Sequence, residues 1–356
     1  MGTNALITGW GMYAPSRVMT NDELATMVET SDEWIVSRTG IRERRIAADD
    51  ETTTSLSVNA ARDALAVAGL DPAELDLVIV GTCTPDYYMP ATAVLVAHEL
   101  GATRAAGFDL MAACSGFVFS LATASAYVRS GMKRNVLVVG VELLSRFLDY
   151  TDRNTCVLFG DGAGAVIVSA SDAPGGLLGL DMYSDGSGME GIIFPAGGSA
   201  CPTTPKTVAE GGHFVHMAGK EVYKYATRQL AESSRSALRS AGLAVGDVDQ
   251  FLFHQANLRI IESVQNAVGI PADRTYLNIA KYGNTSAASV PMALVEAIAE
   301  GRIKPGDRLL MAAFGAGYTA GAAVVEWSAD PSRAFLAPGE QTRMGQPQRT
   351  LAEVGA

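Results

Sequence analysis

Cys114 is the residue of this sequence whose type and position best suit covalent chemistry. It lies in the run ACSG (113–116), where a short apolar stretch gives way to an apolar helical pattern over residues 117–128 that Gly131 closes. A thiol at the first turn of a helix faces unpaired backbone N–H groups and the positive end of the helix dipole, and both favour the thiolate. A buried structural cysteine is the alternative, but the small neighbouring residues favour a nucleophile that a substrate can reach.

His254 is the histidine whose surroundings best suit catalysis. It follows the apolar run 251–253 and begins the segment HQANLR, where a predicted strand ends and a predicted helix begins. Catalytic groups of α/β proteins favour such positions. His98 lies in a helical pattern and is expected to be structural or exposed, whereas His213 and His216 give a weak metal signal without carboxylate or cysteine companions. We therefore expect no metal site.

Asn284 lies in the run YGNTSAAS (282–289). An Asn after Gly is by itself typical of a helix cap. An internal repeat, described below, pairs Asn284 with Cys114 and predicts an amide donor in the same pocket.

A thiolate, an imidazole and a carboxamide suit two kinds of chemistry. In a cysteine peptidase, Asn orients His and His activates Cys, and the chain order Cys, His, Asn fits that scheme. The surrounding sequence lacks the C-G-S-C-W type of peptidase motif. In acyl transfer to carbon, Cys holds an acyl thioester while His and Asn donate hydrogen bonds to an enolate formed by decarboxylation.

The sequence contains an internal repeat that predicts how these residues are positioned. Residues 60–70 (AARDALAVAGL) match residues 233–243 (SSRSALRSAGL), 173 positions later, and an Asp and an apolar strand follow each segment. Cys114 precedes Gly131 by 17 positions, as Asn284 precedes Gly301, which gives an offset of 170. FGDG (159–162) resembles FGAG (314–317) with an offset of 155. A duplicated α/β unit follows, in which Cys114 and Asn284 begin equivalent helices and converge with His254.

The repeat and the alternation of helical periods with continuous apolar strands predict sheets covered by helices on both faces. We expect an N-terminal half over residues 1–172 and a C-terminal half over residues 173–328. Residues 329–356 lose periodicity and gain Pro, Gly, Gln and Arg, so we expect a mobile tail.

Composition excludes several classes of function. The chain has 356 residues, is 48% hydrophobic and 18% charged, and carries a formal net charge of −11, which argues against nucleic-acid binding. It contains neither a secretory signal pattern nor an apolar run of about 18 residues, so no membrane span is expected. Four cysteines without a C-x-x-C pair indicate a cytoplasmic setting. The glycine-rich run 159–164 leads into a strand rather than a helix, so we expect no NAD or flavin.

Three short motifs resemble those of the β-ketoacyl-acyl-carrier-protein synthase III family. They are ACSG (113–116), HQAN (254–257) and GNTS (283–286), and the runs SDEWI (31–35) and RTGI (38–41) are similar to the N-terminal signature of that family. The resemblance runs from about residue 6 to residue 325. It implies the thiolase fold, a duplicated five-layer αβαβα arrangement, and a homodimer.

The resemblance also implies catalytic roles. Cys114 would accept the acyl group of a starter acyl-CoA, and His254 and Asn284 would promote decarboxylation of malonyl on acyl carrier protein. The backbone N–H groups of Cys114 and Ala316 would form the oxyanion hole. Relatives often carry glycine at the Ala316 position, and alanine is tolerated there if φ is negative. The coenzyme A thioester is a substrate, and no cofactor is implied.

Further residues are implied in substrate binding. Trp34 and Arg153 would sandwich the adenine of coenzyme A, and Arg38 and Arg259 would meet phosphates or the carrier protein. The helix after His254 lacks a Lys pair that some relatives have, so carrier docking would use Arg259 and Lys224. Asn257 would support the substrate linker or a bound water. Met89 corresponds to a residue that reaches the acyl pocket of the partner, where a flexible thioether would admit chains longer or more branched than acetyl.

Four functions follow, in order of preference. The first is the condensation that begins fatty-acid synthesis, and the second is a starter-unit ketosynthase or acyltransferase of a polyketide or other secondary pathway. A non-catalytic partner subunit that binds acyl groups is third, and a peptidase is fourth.

Overall fold

The computed structural model describes residues 3–330, so the predicted mobile tail lies outside the described residues except for its first two positions. The strands are β1 (Asn4–Tyr13), β2 (Arg17–Thr20), β3 (Glu43–Ile46), β4 (Leu77–Gly81), β5 (Ala106–Leu110), β6 (Asn135–Glu142), β7 (Gly162–Ser171), β8 (Gly176–Tyr183), β9 (Ile192–Ile193), β10 (His216–Met217), β11 (Gln250–Phe253), β12 (Arg308–Gly315) and β13 (Thr319–Glu326). The α-helices are α1 (Asn21–Leu24), α2 (Asp32–Thr39), α3 (Thr53–Ala68), α4 (Thr92–Leu100), α5 (Gly116–Arg129), α6 (Arg153–Cys156), α7 (Pro205–Ala209), α8 (Gly219–Ala241), α9 (Leu258–Val268), α10 (Ile279–Tyr282) and α11 (Ser289–Ala299).

Two sheets of related topology form the framework. The first has the strand order β1-β7-β6-β4-β5, and the second has the order β8-β13-β12-β11. In both, one equivalent pair is parallel (β4 with β6, β11 with β12) and the next equivalent pair is antiparallel (β6 with β7, β12 with β13). The predicted boundary at residues 172 and 173 falls between β7 and β8, and the independence of the halves as domains stays a prediction.

Helices cover both faces of both sheets. β6 alternates between faces: Val136 and Val138 join the central core with α5 and α11, whereas Leu137 and Val139 pack under α3 and α4. The second sheet is covered on its far side by α8 and α9. The layers are therefore α3/α4, sheet, α5/α11, sheet and α8/α9, which confirms the predicted αβαβα fold. Among residues 3–330 no helix has the length and apolarity needed to cross a bilayer.

The repeat is visible in the backbone, with one correction to its register. β4 and β11 begin 173 residues apart, as do β6 and β12, and so do the 3₁₀ helices Ala113–Ser115 and Ser286–Ala288. The predicted pairing of Cys114 with Asn284 was therefore wrong by three positions, and the residue equivalent to Cys114 is Ala287. The cause is helix length: α11 has 11 residues and α5 has 14, so counting back from the closing glycines displaces the match.

Candidate active site

The Cys114 turn joins β5 to α5. Ala113 has a left-handed φ of 47°, and the 3₁₀ helix Ala113–Ser115 leads directly into α5. The end of β12 packs closely on this turn, because a Cβ at Gly315 would lie only 2.6 Å from the backbone nitrogen of Cys114. Thr319 Oγ1 donates a hydrogen bond of 2.9 Å to the Ala112 carbonyl and fixes the other side. The turn is thus held between the two halves of the chain.

The Cys114 thiol is buried, with 9% of the residue exposed, and Ser286 Oγ lies 3.3 Å from its sulfur. Burial raises the pKa of this thiol to about 12, while the Ser286 hydrogen bond acts in the opposite direction and the Glu142 charge adds to the rise. Backbone N–H groups at the helix terminus lower this pKa, as expected, but they do not set its overall direction. Desolvation of the buried sulfur outweighs the backbone N–H groups.

His254 follows β11 and is buried, with 4% exposed. Its Nδ1 lies 2.6 Å from Ser289 Oγ, and the Gln255 N–H donates to the same oxygen. Burial lowers the pKa of His254 to about 3, so the imidazole is neutral at ordinary pH. Because Nδ1 is engaged by Ser289, Nε2 is the ring nitrogen left for a substrate.

Asn284 is fixed by its backbone and by one half of its amide. Its N–H donates to the Leu158 carbonyl at 2.9 Å, its carbonyl accepts from the Gly160 N–H at 3.0 Å, and its Oδ1 accepts from the Ser286 N–H at 2.9 Å. The side chain is buried, with the residue 6% exposed. Since Oδ1 is occupied, the Nδ2 group remains as a donor for a substrate oxygen.

One cavity of about 390 Å³ brings Cys114, His254 and Asn284 together, and Ala316 and Asn257 also line it. The rest of its wall is mainly apolar and includes Met111, Leu144, Phe159, Ile192, Phe194 and Val215. Apolar walls with a few convergent polar groups are typical of sites that bind small molecules. Among the described residues, Ala316 is not one of those with a positive φ. The left-handed φ of 66° in this loop falls on the next residue, Gly317. An alanine at this position is therefore free of backbone strain.

Trp34 forms a cationic cluster with two arginines outside the cavity. The Arg38 and Arg153 guanidinium carbons lie 4.5 and 4.8 Å from the centroid of the half-buried Trp34 ring. Arg153 also donates to the Glu29 carbonyl at 2.8 Å. Asn257 Nδ2 donates to the Arg38 carbonyl at 3.0 Å, so the cluster adjoins the cavity wall.

The remaining predicted binding residues are more dispersed. Asn257 caps α9, with its Oδ1 accepting from the Arg259 N–H at 2.9 Å, so both ends of its amide are bonded to backbone. Arg259 and Lys224 are exposed and do not line the cavity. Met89 is 84% exposed and also lies off this cavity, so its predicted role in the pocket of a partner stays a prediction.

Sequence reasoning missed the roles of three polar residues at this site, two of which contact predicted residues directly. Ser286 and Ser289 contact Cys114 and His254 respectively, and the buried Glu142 contacts Ser286. A signal existed for Glu142, since a carboxylate ends an otherwise apolar eight-residue strand. Among residues 3–330, no group of three or more His, Cys, Asp or Glu side chains could hold a metal ion.

Comparison with known proteins finds relatives along most of the chain. The family model described as 3-oxoacyl-[acyl-carrier-protein (ACP)] synthase III matches residues 108–186, and its C-terminal companion matches residues 238–327. The β-ketoacyl-[acyl-carrier-protein] synthase III of Roseiflexus castenholzii is 53% identical over 329 residues, covering 92% of this chain and 100% of the relative.

Two solved structures are similar throughout the fold. The 3-oxoacyl-[acyl-carrier-protein] synthase III of Aquifex aeolicus has a TM-score of 0.84 at 44% identity, covering 92% of this chain and 100% of that one. The priming β-ketosynthase of the R1128 polyketide pathway has a TM-score of 0.86 at 40% identity, covering 93% and 98%. Fold and site together define an acyltransferase of the thiolase-like condensing class. Within that class, the chain belongs to the β-ketoacyl-acyl-carrier-protein synthase III family.

Proposed function

We propose that this protein condenses a starter acyl-CoA with malonyl-acyl carrier protein, releasing CO₂ and giving 3-ketoacyl-acyl carrier protein, the first step of fatty-acid synthesis. The observation that carries the proposal is the single cavity that buries a thiol, an imidazole and a carboxamide together. Each comes from a different turn of the duplicated fold, so their convergence is a product of the tertiary structure.

The first half-reaction forms an acyl-Cys114 thioester. Cys114 Sγ attacks the carbonyl carbon of the acyl-CoA, the carbonyl electron pair moves to oxygen, and the bond to the coenzyme A sulfur then breaks. The backbone N–H groups of Cys114 and Ala316 stabilise the oxyanion. These two N–H groups are proposed because the Gly315 backbone, next to Ala316, packs closely against the Cys114 turn.

The second half-reaction uses the neutral imidazole. Loss of CO₂ leaves the electron pair of the broken C–C bond as an enolate on the malonyl thioester, and His254 and Asn284 Nδ2 donate hydrogen bonds to its oxygen. This role requires the proton on Nε2, which holds when the Ser289 hydroxyl, 2.6 Å from Nδ1, donates to that nitrogen rather than to the Ser286 carbonyl. The enolate carbon attacks the acyl-Cys114 carbonyl and releases the sulfur. The reaction transfers no electrons to an acceptor, so we propose no cofactor.

Trp34 and Arg153 bind the adenine of coenzyme A in this proposal. Since Arg153 lies 4.8 Å from the Trp34 ring, it must move away for a base to enter between them. Arg38 and Arg259 then meet the phosphates. Asn257 lines the cavity beside the linker of the thioester.

The carrier protein docks beside Arg259 and Lys224, both exposed near the rim, and its acidic surface would meet these cations. We propose a homodimer because Tyr88, Met89 and Met111 are exposed apolar side chains and β5 is an edge strand of its sheet. In that dimer Met89 reaches the acyl pocket of the partner. All four cysteines are free, which supports a cytoplasmic location.

The test is an intact-mass measurement after incubation with a panel of acyl-CoAs. We expect one acyl adduct on the wild type and none on Cys114→Ser under the same conditions. His254→Ala and Asn284→Ala should still be acylated yet fail to release CO₂ from malonyl-acyl carrier protein. An adduct that persists on Cys114→Ser, or wild-type condensation by either other variant, would refute the assigned roles.

A priming ketosynthase of a secondary pathway is the second candidate, favoured by the similarity to the R1128 enzyme. The same panel separates the two when the acylated protein is offered malonyl on a fatty-acid carrier and on a polyketide carrier. Condensation restricted to the polyketide carrier would favour the second candidate.

A further inference from the structure

Glu142 is a fully buried carboxylate at the end of β6. Hydroxyl, thiol and backbone groups surround it: Thr84 Oγ1 donates at 2.6 Å, the Cys83 N–H at 3.1 Å and the Cys83 thiol at 3.2 Å, and Ser286 Oγ lies 3.1 Å from Oε1. Within residues 3–330 no cationic side chain forms an ion pair with it. Burial raises the pKa of this carboxyl group while its hydrogen-bond donors lower it. A buried carboxylate held only by neutral donors is costly and suits proton transfer.

The Ser286 hydroxyl lies between this carboxylate and the Cys114 sulfur. Its oxygen is 3.1 Å from Glu142 Oε1 and 3.3 Å from Cys114 Sγ. A hydroxyl has one proton to donate, so it cannot donate to both groups at once. It must donate to the carboxylate while accepting from the thiol, or donate to a thiolate while accepting from a carboxylic acid.

Ser286 is held in this position by its own backbone. Its φ is 48°, in the left-handed region that a serine rarely adopts, its N–H donates to Asn284 Oδ1, and its carbonyl oxygen lies 3.0 Å from Ser289 Oγ. Strained residues of this kind persist only where the surroundings fix them, often at functional sites. The bridging hydroxyl is therefore a fixed part of the site.

We propose that Glu142 accepts the Cys114 proton through Ser286 when the acyl thioester forms. As the Cys114 S–H bond breaks, its proton moves to Ser286 Oγ, and the Ser286 proton moves to Glu142 Oε1, so one negative charge passes from carboxylate to sulfur. The sulfur then attacks the acyl-CoA carbonyl. When the bond to the coenzyme A sulfur breaks, that thiolate takes a proton back along the same path and leaves as a thiol. The attack on acyl-CoA rests on the proposed function, whereas the proton transfer from Cys114 through Ser286 to Glu142 does not.

A purely electrostatic role for Glu142 makes the opposite prediction. The negative charge of Glu142 raises the pKa of Cys114, so its removal alone would make the thiolate easier to form. Loss of a proton acceptor would make it harder. The sign of the change in thiol reactivity therefore separates a proton relay from a nearby charge.

The experiment measures alkylation of Cys114 by iodoacetamide between pH 6 and 9, with the modified cysteine identified by peptide mapping. In Glu142→Gln we expect alkylation of Cys114 at pH 7 at least tenfold slower than in the wild type, with the pH profile displaced to higher pH. An unchanged or faster rate would overturn the proposal. Iodoacetamide needs no acyl substrate, so this result is independent of whether the proposed condensation is right.

Asp161→Asn is the matched control. Asp161 is also a fully buried carboxylate bonded by a serine hydroxyl, Ser145, but it has no hydrogen bond to Cys114 or Ser286. We expect wild-type alkylation of Cys114 in this variant. A tenfold loss here as well would assign the effect to general disturbance of the core and overturn the relay.

The Ser286 variants test the path itself, and they decide the question if Glu142→Gln fails to fold. Ser286→Ala should slow alkylation of Cys114 at least tenfold, and Glu142→Gln with Ser286→Ala should be no slower than the slower single variant. Wild-type reactivity of Ser286→Ala, or multiplied losses in the double variant, would exclude a route through Ser286. Single-turnover acylation by acyl-CoA should follow the same order.

Discussion

Two turns of the molecule, 173 residues apart, have the same backbone conformation but carry different side chains. Ala113 and Ser286 have φ values of 47° and 48°, each begins a 3₁₀ helix, and each helix leads into a buried central helix. The first turn carries Cys114, the proposed nucleophile. The second carries the hydroxyl of Ser286 and, just before it, the amide of Asn284. Duplication supplied two equivalent frames, and the side chains then diverged.

The strand ends that face these turns differ in the same way. β12 ends at Gly315, which lets its backbone approach the Cys114 turn, whereas the equivalent end of β6 is Glu142, whose carboxylate reaches Ser286. Each half therefore contributes its strand end to the turn of the other half. Close backbone contact therefore supports the Cys114 turn, whereas a buried polar side chain supports the Ser286 turn.

Gly315→Ala should have the largest effect. Its Cβ would meet the Cys114 backbone nitrogen at 2.6 Å, so the turn must shift. Misplacement of a reacting group by about 1 Å can cost about a hundredfold in rate, and we expect a loss of that size in single-turnover acylation. Decarboxylation of malonyl-acyl carrier protein should fall less. Equal losses in both half-reactions would contradict the division of labour between the turns.

Gly140→Ala tests the second turn in the same manner. Gly140 lies in β6, and a Cβ there would overlap the carbonyl oxygen of Ala287. We expect decarboxylation to fall by about tenfold or more, since His254 and Asn284 act beside this turn, and acylation of Cys114 to fall as well, because Ser286 lies in the same turn. Released CO₂ and the acyl adduct mass are the two readouts. A variant that loses only acylation would reverse the assignment.

His254 should make the folded state less stable in acid. Burial lowers its pKa to about 3, so between the ordinary histidine value and that point only the unfolded chain binds the proton. Unfolding in urea should show that the wild type loses about 2 kcal/mol more than His254→Gln between pH 6.5 and pH 4.5. The exposed His98 provides the control, because His98→Gln should follow the wild-type curve. Parallel curves for all three proteins would show that His254 is not buried neutral.

Ala113→Gly should have the smallest effect. Glycine accepts a φ of 47° without the steric cost that alanine meets there, but it also gives the unfolded chain more freedom. We expect the free energy of unfolding to change by less than about 1 kcal/mol, in the stabilising direction. Urea unfolding at pH 7 measures it. Destabilisation beyond about 1 kcal/mol would mean that the Ala113 methyl packs in a way that its equivalent at Ser286 does not.

Sequence reasoning reached the motif residues because their types and positions are local properties. Cys114 before a helix and His254 after a strand are legible in the residue order, and the repeat indicated two related halves. The same reasoning misaligned Asn284, because helix length is set by packing and the closing glycines were the only visible markers. It also left out the desolvation that raises the Cys114 pKa, because burial is a property of the tertiary structure that no local pattern records.

The sequence by itself determined the duplicated α/β architecture, the candidate reactive residues and the family resemblance, because periodicity, turn residues and motif spacing are properties of the residue order. Only the tertiary structure decided that Ser286 bridges Cys114 and Glu142, and that Ser289 engages His254. Cys114 and Ser286 are separated by 172 positions, and Glu142 and Ser286 by 144. Contacts between such distant residues follow from how two sheets pack on one pair of helices, and hydrogen-bond distances are fixed only by that packing.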